Sequence, residues 1–362
     1  MRNAFFQSNE VAYDESGKRF RLNSRGVALI LVLWILAFLS VLVGEFCFAT
    51  RTEINITTNF KEETLSYYFA KAGVNLATYR ILNHGVFPRD IEGDETPLDE
   101  ETDEWRLGEQ IPPIAFREGR IEIEIGNESG KININRADAG LLMMMLNPFD
   151  LDEQDKNIIV DSILDWRDGD DLHRINGAED DYYQSLDKPY GAKNGDFDSI
   201  DELLLVRGVT PEIFFGGLRE MLTIYPRENT EDLKEKTSRD TGRINVNAAP
   251  TQVLRALPMM NDDLVLSIVE HRAEQPFRSV NEVSPIVGGE VYGAIARYLS
   301  IDPNSYYTIR ATGTVSGGPA RRGIEVILEI DKTRKPPCRT VEWLDNVEFW
   351  LESQEESVDF SG

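Results

Sequence analysis

The sequence predicts an α+β chain in which a long N-terminal helix packs on an antiparallel sheet and a large all-α insertion divides that sheet. Three observations predict this. Residues 27–44 carry no charge, and no proline interrupts the chain from there until Pro88. Strand-like alternation occurs in two separate places, within residues 119–135 and within residues 306–330. Between them, three short blocks recur in the same order.

The apolar segment comes first. Val27 to Gly44 gives roughly 27 Å of helix, close to the ~30 Å hydrocarbon core of a bilayer. Phe46 to Ala49 complete a span of residues 27–49. Arg2, Lys18, Arg19, Arg21 and Arg25 precede it against Glu10, Asp14 and Glu15. That excess of cations keeps the head cytoplasmic and exports the acidic remainder. Three readings remain: an uncleaved signal anchor, a cleaved secretory signal, and a leader cut after Gly26 that leaves the apolar run at the new N-terminus. The secretory signal fits least, because the apolar run is long and bulky Phe46-Cys47-Phe48 follows it. Beyond Arg51, Leu65, Tyr68 or Phe69, Ala72, Leu76 and Tyr79 recur at helical steps, and Asn83-His84-Gly85 offers a stop. One nearly continuous helix is expected.

Composition excludes several functions. The net charge of −25, from 63 acids and 38 bases, repels nucleic acid and anionic lipid and suits cation binding. Cys47 and Cys338 are too few and too far apart for a disulfide framework. Three histidines are too sparse for a zinc site. A nucleophile motif such as G-x-S-x-G is absent from the sequence, so a non-enzymatic protein is expected. The acidic, turn-rich residues 92–109 read as a solvated loop.

Gly119 to Ile125 alternates strictly, and Lys131 to Asn135 alternates after an Asn127–Gly130 turn. Tyr306 to Val315 and Gly323 to Ile330 return the signal on either side of a Gly317-Gly318-Pro319 turn. The part between them holds two related halves. Gly130 to Asn135 matches Gly242 to Asn247, Ile163 to Arg167 matches Ile268 to Arg272, and Phe197 to Leu203 matches Phe277 to Val283. Asn135 and Asn247 are expected to cap helices.

The spacings differ in one place. Arg272 and Phe277 are separated by 4 residues and Arg167 and Phe197 by 29, so the first half has gained 25. The gain includes Asp168, Asp170, Asp171, Glu179, Asp180, Asp181, Asp187 and Asp196. Such a loop is not expected to build an apolar core of its own. A hard cation would order it, and Asp168-Gly169-Asp170-Asp171 has the tight spacing a calcium site needs, although no 12-residue EF-hand frame fits. The matched blocks also look like helix-hairpin-helix or SAM-like modules. That raises an alternative function, a signal-anchored periplasmic protein of DNA binding or uptake. Electrostatics opposes it: residues 131–300 hold 31 acids and 18 bases, a net of −13.

Together, Arg25-Gly26 before the apolar run, Ala70-Lys71-Ala72-Gly73 in the stem, the two Asn-x-Asn modules and Gly177-Ala178-Glu179-Asp180 resemble the K-type minor pseudopilins of bacterial type II secretion. The resemblance implies a pilin-like domain with a helical insertion. It implies cleavage after Gly26 by a prepilin peptidase and methylation of Val27. It implies a single-pass inner-membrane protein, N-terminus in the cytoplasm and C-terminal domain in the periplasm. It places the chain at the pseudopilus tip, initiating or capping assembly, with the I- and J-type minor pseudopilins and the major pseudopilin as partners and exported cargo as a further contact. It implies structural calcium, mapped onto Asp165, Asp168, Asp170, Asp171, Glu179, Asp180 and Asp181. Pilins in general carry Glu at the fifth mature position; here that position is Leu31, which suits a subunit with no neighbour above it to neutralise. The expected domains are a leader (1–26), a membrane helix (27–49), the first pilin-like part (50–135), the insertion (136–300, repeats 136–225 and 242–300), the second pilin-like part (301–335) and a C-terminal tail (336–362).

Overall fold

The computed structural model describes residues 24–83, 105, 107–108, 110–226, 242–345 and 347. Most of the leader, the helix stop at His84-Gly85, most of the acidic run 92–109 and the end of the tail lie outside the described residues. The chain forms two compact units, residues 1–62 and 63–362.

Helix α1 runs from Ser24 to Asn83 without a break, so the expectation of one continuous helix holds. In the first unit its side chains from Val27 to Val43 are exposed, Trp34 among them. This part is long and apolar enough to cross a membrane.

In the second unit, residues 63–83 of α1 lie on a five-stranded antiparallel sheet. Its strands are β1 (Gln110–Phe116), β2 (Gly119–Asn127), β7 (Tyr306–Val315), β8 (Arg321–Ile330) and β9 (Cys338–Asp345), in the spatial order β1-β2-β7-β8-β9. Four shorter strands, β3 (Ile132–Asn133), β4 (Leu222–Thr223), β5 (Ile244–Asn245) and β6 (Leu299–Ser300), belong to the insertion. Every residue of β2 pairs with β7 across the whole insertion, from Gly119↔Val315 to Asn127↔Tyr307.

The buried face of the stem overlaps the expected one only in part. It comprises Ser66, Phe69, Ala70, Val74, Ala77 and Ile81, while Tyr68 and Tyr79 are exposed. Small residues set the rotation. A Cβ on Gly313 of β7 would fall 2.1 Å from the Ser66 carbonyl oxygen, and one on Gly73 2.7 Å from Ile121 Cγ2, so helix and sheet touch almost backbone to backbone. Of the expected stripe, Phe69 is buried and Leu65, Ala72 and Leu76 pack partly buried against the same core, while Tyr68 and Tyr79 turn away from it.

Two strands of the main sheet were hidden in the sequence. Pro112 and Pro113 mask β1, which tolerates them because it is an edge strand with an irregular register there. The tail from residue 336 is corrected likewise: its Cys338–Asp345 segment is β9, paired with β8.

The insertion begins earlier than residue 136. Of Lys131 to Asn135, only β3 (Ile132–Asn133) is a strand, and it pairs in parallel with β4 (Leu222–Thr223) rather than with the main sheet. The second half repeats this with β5 (Ile244–Asn245) and β6 (Leu299–Ser300). Helices α2 (Ala139–Met145) and α3 (Glu153–Arg167) in the first half correspond to Thr251–Ala256 and Asp262–Glu274 in the second. Both halves share one apolar core, with Leu142, Met145, Ile163 and Trp166 on one side and Val253, Leu254 and Ile268 on the other.

Candidate cation site in the acidic loop

The two halves are built on the same hydrogen bonds. Asn135 Nδ2 donates to the Phe197 carbonyl (3.0 Å) and its Oδ1 accepts from Phe197 N–H (2.8 Å). Asn247 does the same with Phe277, at 2.9 Å each. Arg167 donates to the carbonyls of Ile134 (2.5 Å) and Ala137 (2.6 Å); Arg272 donates to those of Val246 (3.0 Å) and Ala249 (2.7 Å). Asn135 and Asn247 are therefore not helix caps. Asp138 caps α2, and the second half enters its helix from Pro250 without a side-chain cap. The asparagines instead clamp the chain arriving from the loop.

These clamps explain how the first half carries 25 extra residues. The loop leaves at Arg167 and returns at Phe197, and both ends are tied to the same short segment around Asn135. The loop also contributes to the core, contrary to the expectation from its acidity. Ala178 and Tyr183 are fully buried, and Tyr183 lies edge-on to Trp166 (5.1 Å) and stacks on Tyr190 (5.3 Å). A short helix, α4 (Asp180–Gln184), delivers Tyr183.

The seven acids mapped to calcium separate into distinct roles. Asp165 in α3 is fully buried; its Oδ1 accepts from Arg174 Nη1 at 2.5 Å. Asp168, the C-cap of α3, gives Oδ2 to the same nitrogen at 2.5 Å, while its Oδ1 is buried without a hydrogen-bond partner. Glu179 is 1 % exposed, and neither of its oxygens has a partner. Asp170 is exposed, and its Oδ1 accepts from Leu172 N–H. Carboxylate oxygens of Asp168, Asp170 and Glu179 lie within 4.8 Å of one another. The other mapped acids point to different work. Asp171 accepts from Asn194 Nδ2, Asp180 accepts from Ala192 N–H, and Asp181 pairs with His173 at 2.8 Å.

Electrostatics singles out Glu179. Burial first, then the charges of Asp165 and Asp168, push its pKa up to about 7. Two residues escaped the sequence reading. Arg174 supplies the cation that Asp165 needs, and its only signal was a lone base within an acidic run. Gly177 is the other: a Cβ there would meet Asp165 Oδ2 at 1.8 Å.

The glycine turn at Arg207-Gly208-Val209 is not arranged for phosphate. Arg207 donates to the Gly177 carbonyl (3.0 Å) and lies over the Tyr182 ring (4.7 Å). It is a structural cation.

The architecture defines a class: an α+β protein whose apolar N-terminal helix continues into the stem of an antiparallel sheet, with a helical insertion between two strands. Two models of the family described as "Type II secretion system (T2SS), protein K" match residues 125–227 and 244–302. The type II secretion system protein K of Pseudomonas aeruginosa PAO1 is 22% identical over 307 residues, covering 78% of this chain and 84% of that protein. The putative type II secretion system protein K of Escherichia coli K12 is 23% identical over 301 residues, covering 78% and 89%. A solved GspK-GspI-GspJ complex from the Type 2 Secretion System of enterotoxigenic Escherichia coli is similar at 15% identity and a TM-score of 0.49, covering 83% of this chain and 100% of that chain. The two family models and the relatives together support a type II secretion system minor pseudopilin of the K type. The DNA-uptake alternative finds no support.

Proposed function

We propose that this minor pseudopilin is a non-enzymatic tip subunit. It is processed after Gly26, methylated on Val27, and starts or caps the pseudopilus from the inner membrane with its C-terminal domain in the periplasm. The observation that carries the reading is the apolar surface of Val27–Val43, exposed along one side of a helix and around it, with Leu31 in place of the acid that an internal subunit uses. Such a surface needs either lipid or other apolar helices to cover it. The I- and J-type minor pseudopilins and the major pseudopilin are the partners this reading assigns, with exported cargo as a further contact and nucleic acid excluded. The insertion serves as two SAM-like scaffolding repeats, which the matching Asn135 and Asn247 clamps support.

Structural calcium belongs to the same reading. Three buried carboxylate oxygens without partners, one on Asp168 and two on Glu179, face a cluster completed by Asp170. Hard oxygen donors of this kind suit calcium. Asp168, Asp170 and Glu179 would hold it, and it would supply the positive charge these oxygens lack. Asp165, Asp171, Asp180 and Asp181 then act around the site, engaged as they are elsewhere.

Deleting the gene in its host tests the tip assignment. Secretion through the type II pathway is expected to stop and to return with a low level of the wild-type chain, since a tip needs few copies. Undiminished secretion in the deletion strain would contradict it.

A further inference from the structure

Arg174 sits where a second positive charge is needed. One nitrogen, Nη1, donates to both Asp165 Oδ1 and Asp168 Oδ2 at 2.5 Å. Its backbone N–H also faces Asp165 Oδ1 and Oδ2, at 3.4 and 3.2 Å. The Asp165 side chain has no exposed surface, so without this cation its charge would be buried and unpaired. Asp168 is therefore shared: one oxygen belongs to Arg174, and the other is left for the cluster with Asp170 and Glu179.

We propose that Arg174 is a built-in counter-cation that sets the affinity of the carboxylate site, holding Asp165 and Asp168 together before a divalent ion arrives and weakening the ion's binding once it does. The inference rests on the calcium reading above. Both effects follow from position. A guanidinium bonded to Asp168 repels a divalent ion held by the same side chain, across a short distance and through a partly buried environment. The same guanidinium neutralises part of the cluster when no ion is present. Arg174 is thus a positioning residue and not a ligand.

Calcium titrations of the full chain in detergent, followed by calorimetry, test this with three variants. Arg174→Gln removes the charge and is expected to bind calcium about tenfold more tightly, while its calcium-free thermal midpoint falls. Asp165→Asn removes the neighbouring acid, leaves the charge of Arg174 uncompensated, and is expected to bind calcium more weakly. Arg174→Lys restores a cation and should bind close to the wild type. A purely structural role would weaken binding in both Arg174→Gln and Asp165→Asn, and that result would overturn the inference. If Arg174→Gln does not fold without calcium, Arg174→Lys decides: binding close to the wild type supports the proposal, and binding as weak as in Asp165→Asn refutes it. A wild-type chain that takes up no calcium removes the calcium reading itself, whereas binding that is unaltered in Arg174→Gln removes this inference alone.

Discussion

Replacing Glu179 by glutamine is expected to abolish the stabilisation that calcium gives and to raise the thermal midpoint of the calcium-free chain at pH 8. Glu179 is 1 % exposed and its two oxygens lack partners. Its pKa rises from 4.5 to about 7, through burial first and then the charges of Asp165 and Asp168. That difference corresponds to a penalty on the order of 3 kcal/mol for the ionised form. The sign follows from linkage. The folded pKa lies above the unfolded one, so the stabilising contribution of the protonated acid is complete below about 4.5. It is lost as pH rises through about 7. The calcium-free midpoint should therefore fall across that window. Calcium favours the carboxylate, so its stabilising effect should grow over the same range. A ligand at a hundredfold excess over its Kd adds about 2.7 kcal/mol. Melts of wild type and Glu179→Gln at pH 5 and pH 8, with calcium or with chelator, check this. A wild-type midpoint at pH 8 that ignores calcium would contradict it.

The second large effect concerns the junction between insertion and sheet. Replacing Arg310 by methionine is expected to destabilise the second unit by about 3–5 kcal/mol, the cost of stranding a buried charge. Arg310 on β7 donates through Nε to Glu325 on β8 at 2.6 Å and through Nη2 to Glu220 of the insertion at 2.8 Å. Glu124 on β2 lies 3.8 Å from its Nη1. Arg310, Glu325 and Glu220 line a cavity of about 50 Å³ with Lys131, Arg219 and Glu342. Burial opposes ionisation of Glu325, but Arg310 outweighs it and holds the carboxyl below its usual range. Without Arg310, Glu325 stays 8 % exposed and loses that partner. Restoring balance should recover much of the loss, so Arg310→Met with Glu325→Gln and Glu220→Gln is expected to be more stable than Arg310→Met alone. Denaturant melts of the three chains give the comparison. A single variant as stable as wild type would show that the network does not hold the insertion to the sheet.

The sequence displayed what rests on local pattern. The continuous α1, strands β2, β7 and β8, and the two halves of the insertion all carry periodicity or repetition. What it concealed rests on partners distant in the chain. Small residues such as Gly73 and Gly313 give no apolar signal, yet they choose which face of the stem is buried. β1 contains two prolines, and only its edge position makes them tolerable. At the acidic loop, composition indicated carboxylates but could not separate ligand from scaffold. That division depends on Arg174 claiming Asp165 and half of Asp168, and on Asn194, Ala192 and His173 engaging the remaining acids. The loop's buried Tyr183 also went unread, because the core ring it packs against, Trp166, lies outside the inserted residues.

The central claim is that the Val27–Ala49 helix is a processed pseudopilin helix and not a permanent anchor. The most direct test is the intact mass and N-terminal sequence of the full chain made with and without a prepilin peptidase. With the enzyme, the chain is expected to begin at Val27 and to carry one added methyl group; without it, residues 1–26 should remain. A chain that keeps residues 1–26 in the presence of the peptidase would contradict the account.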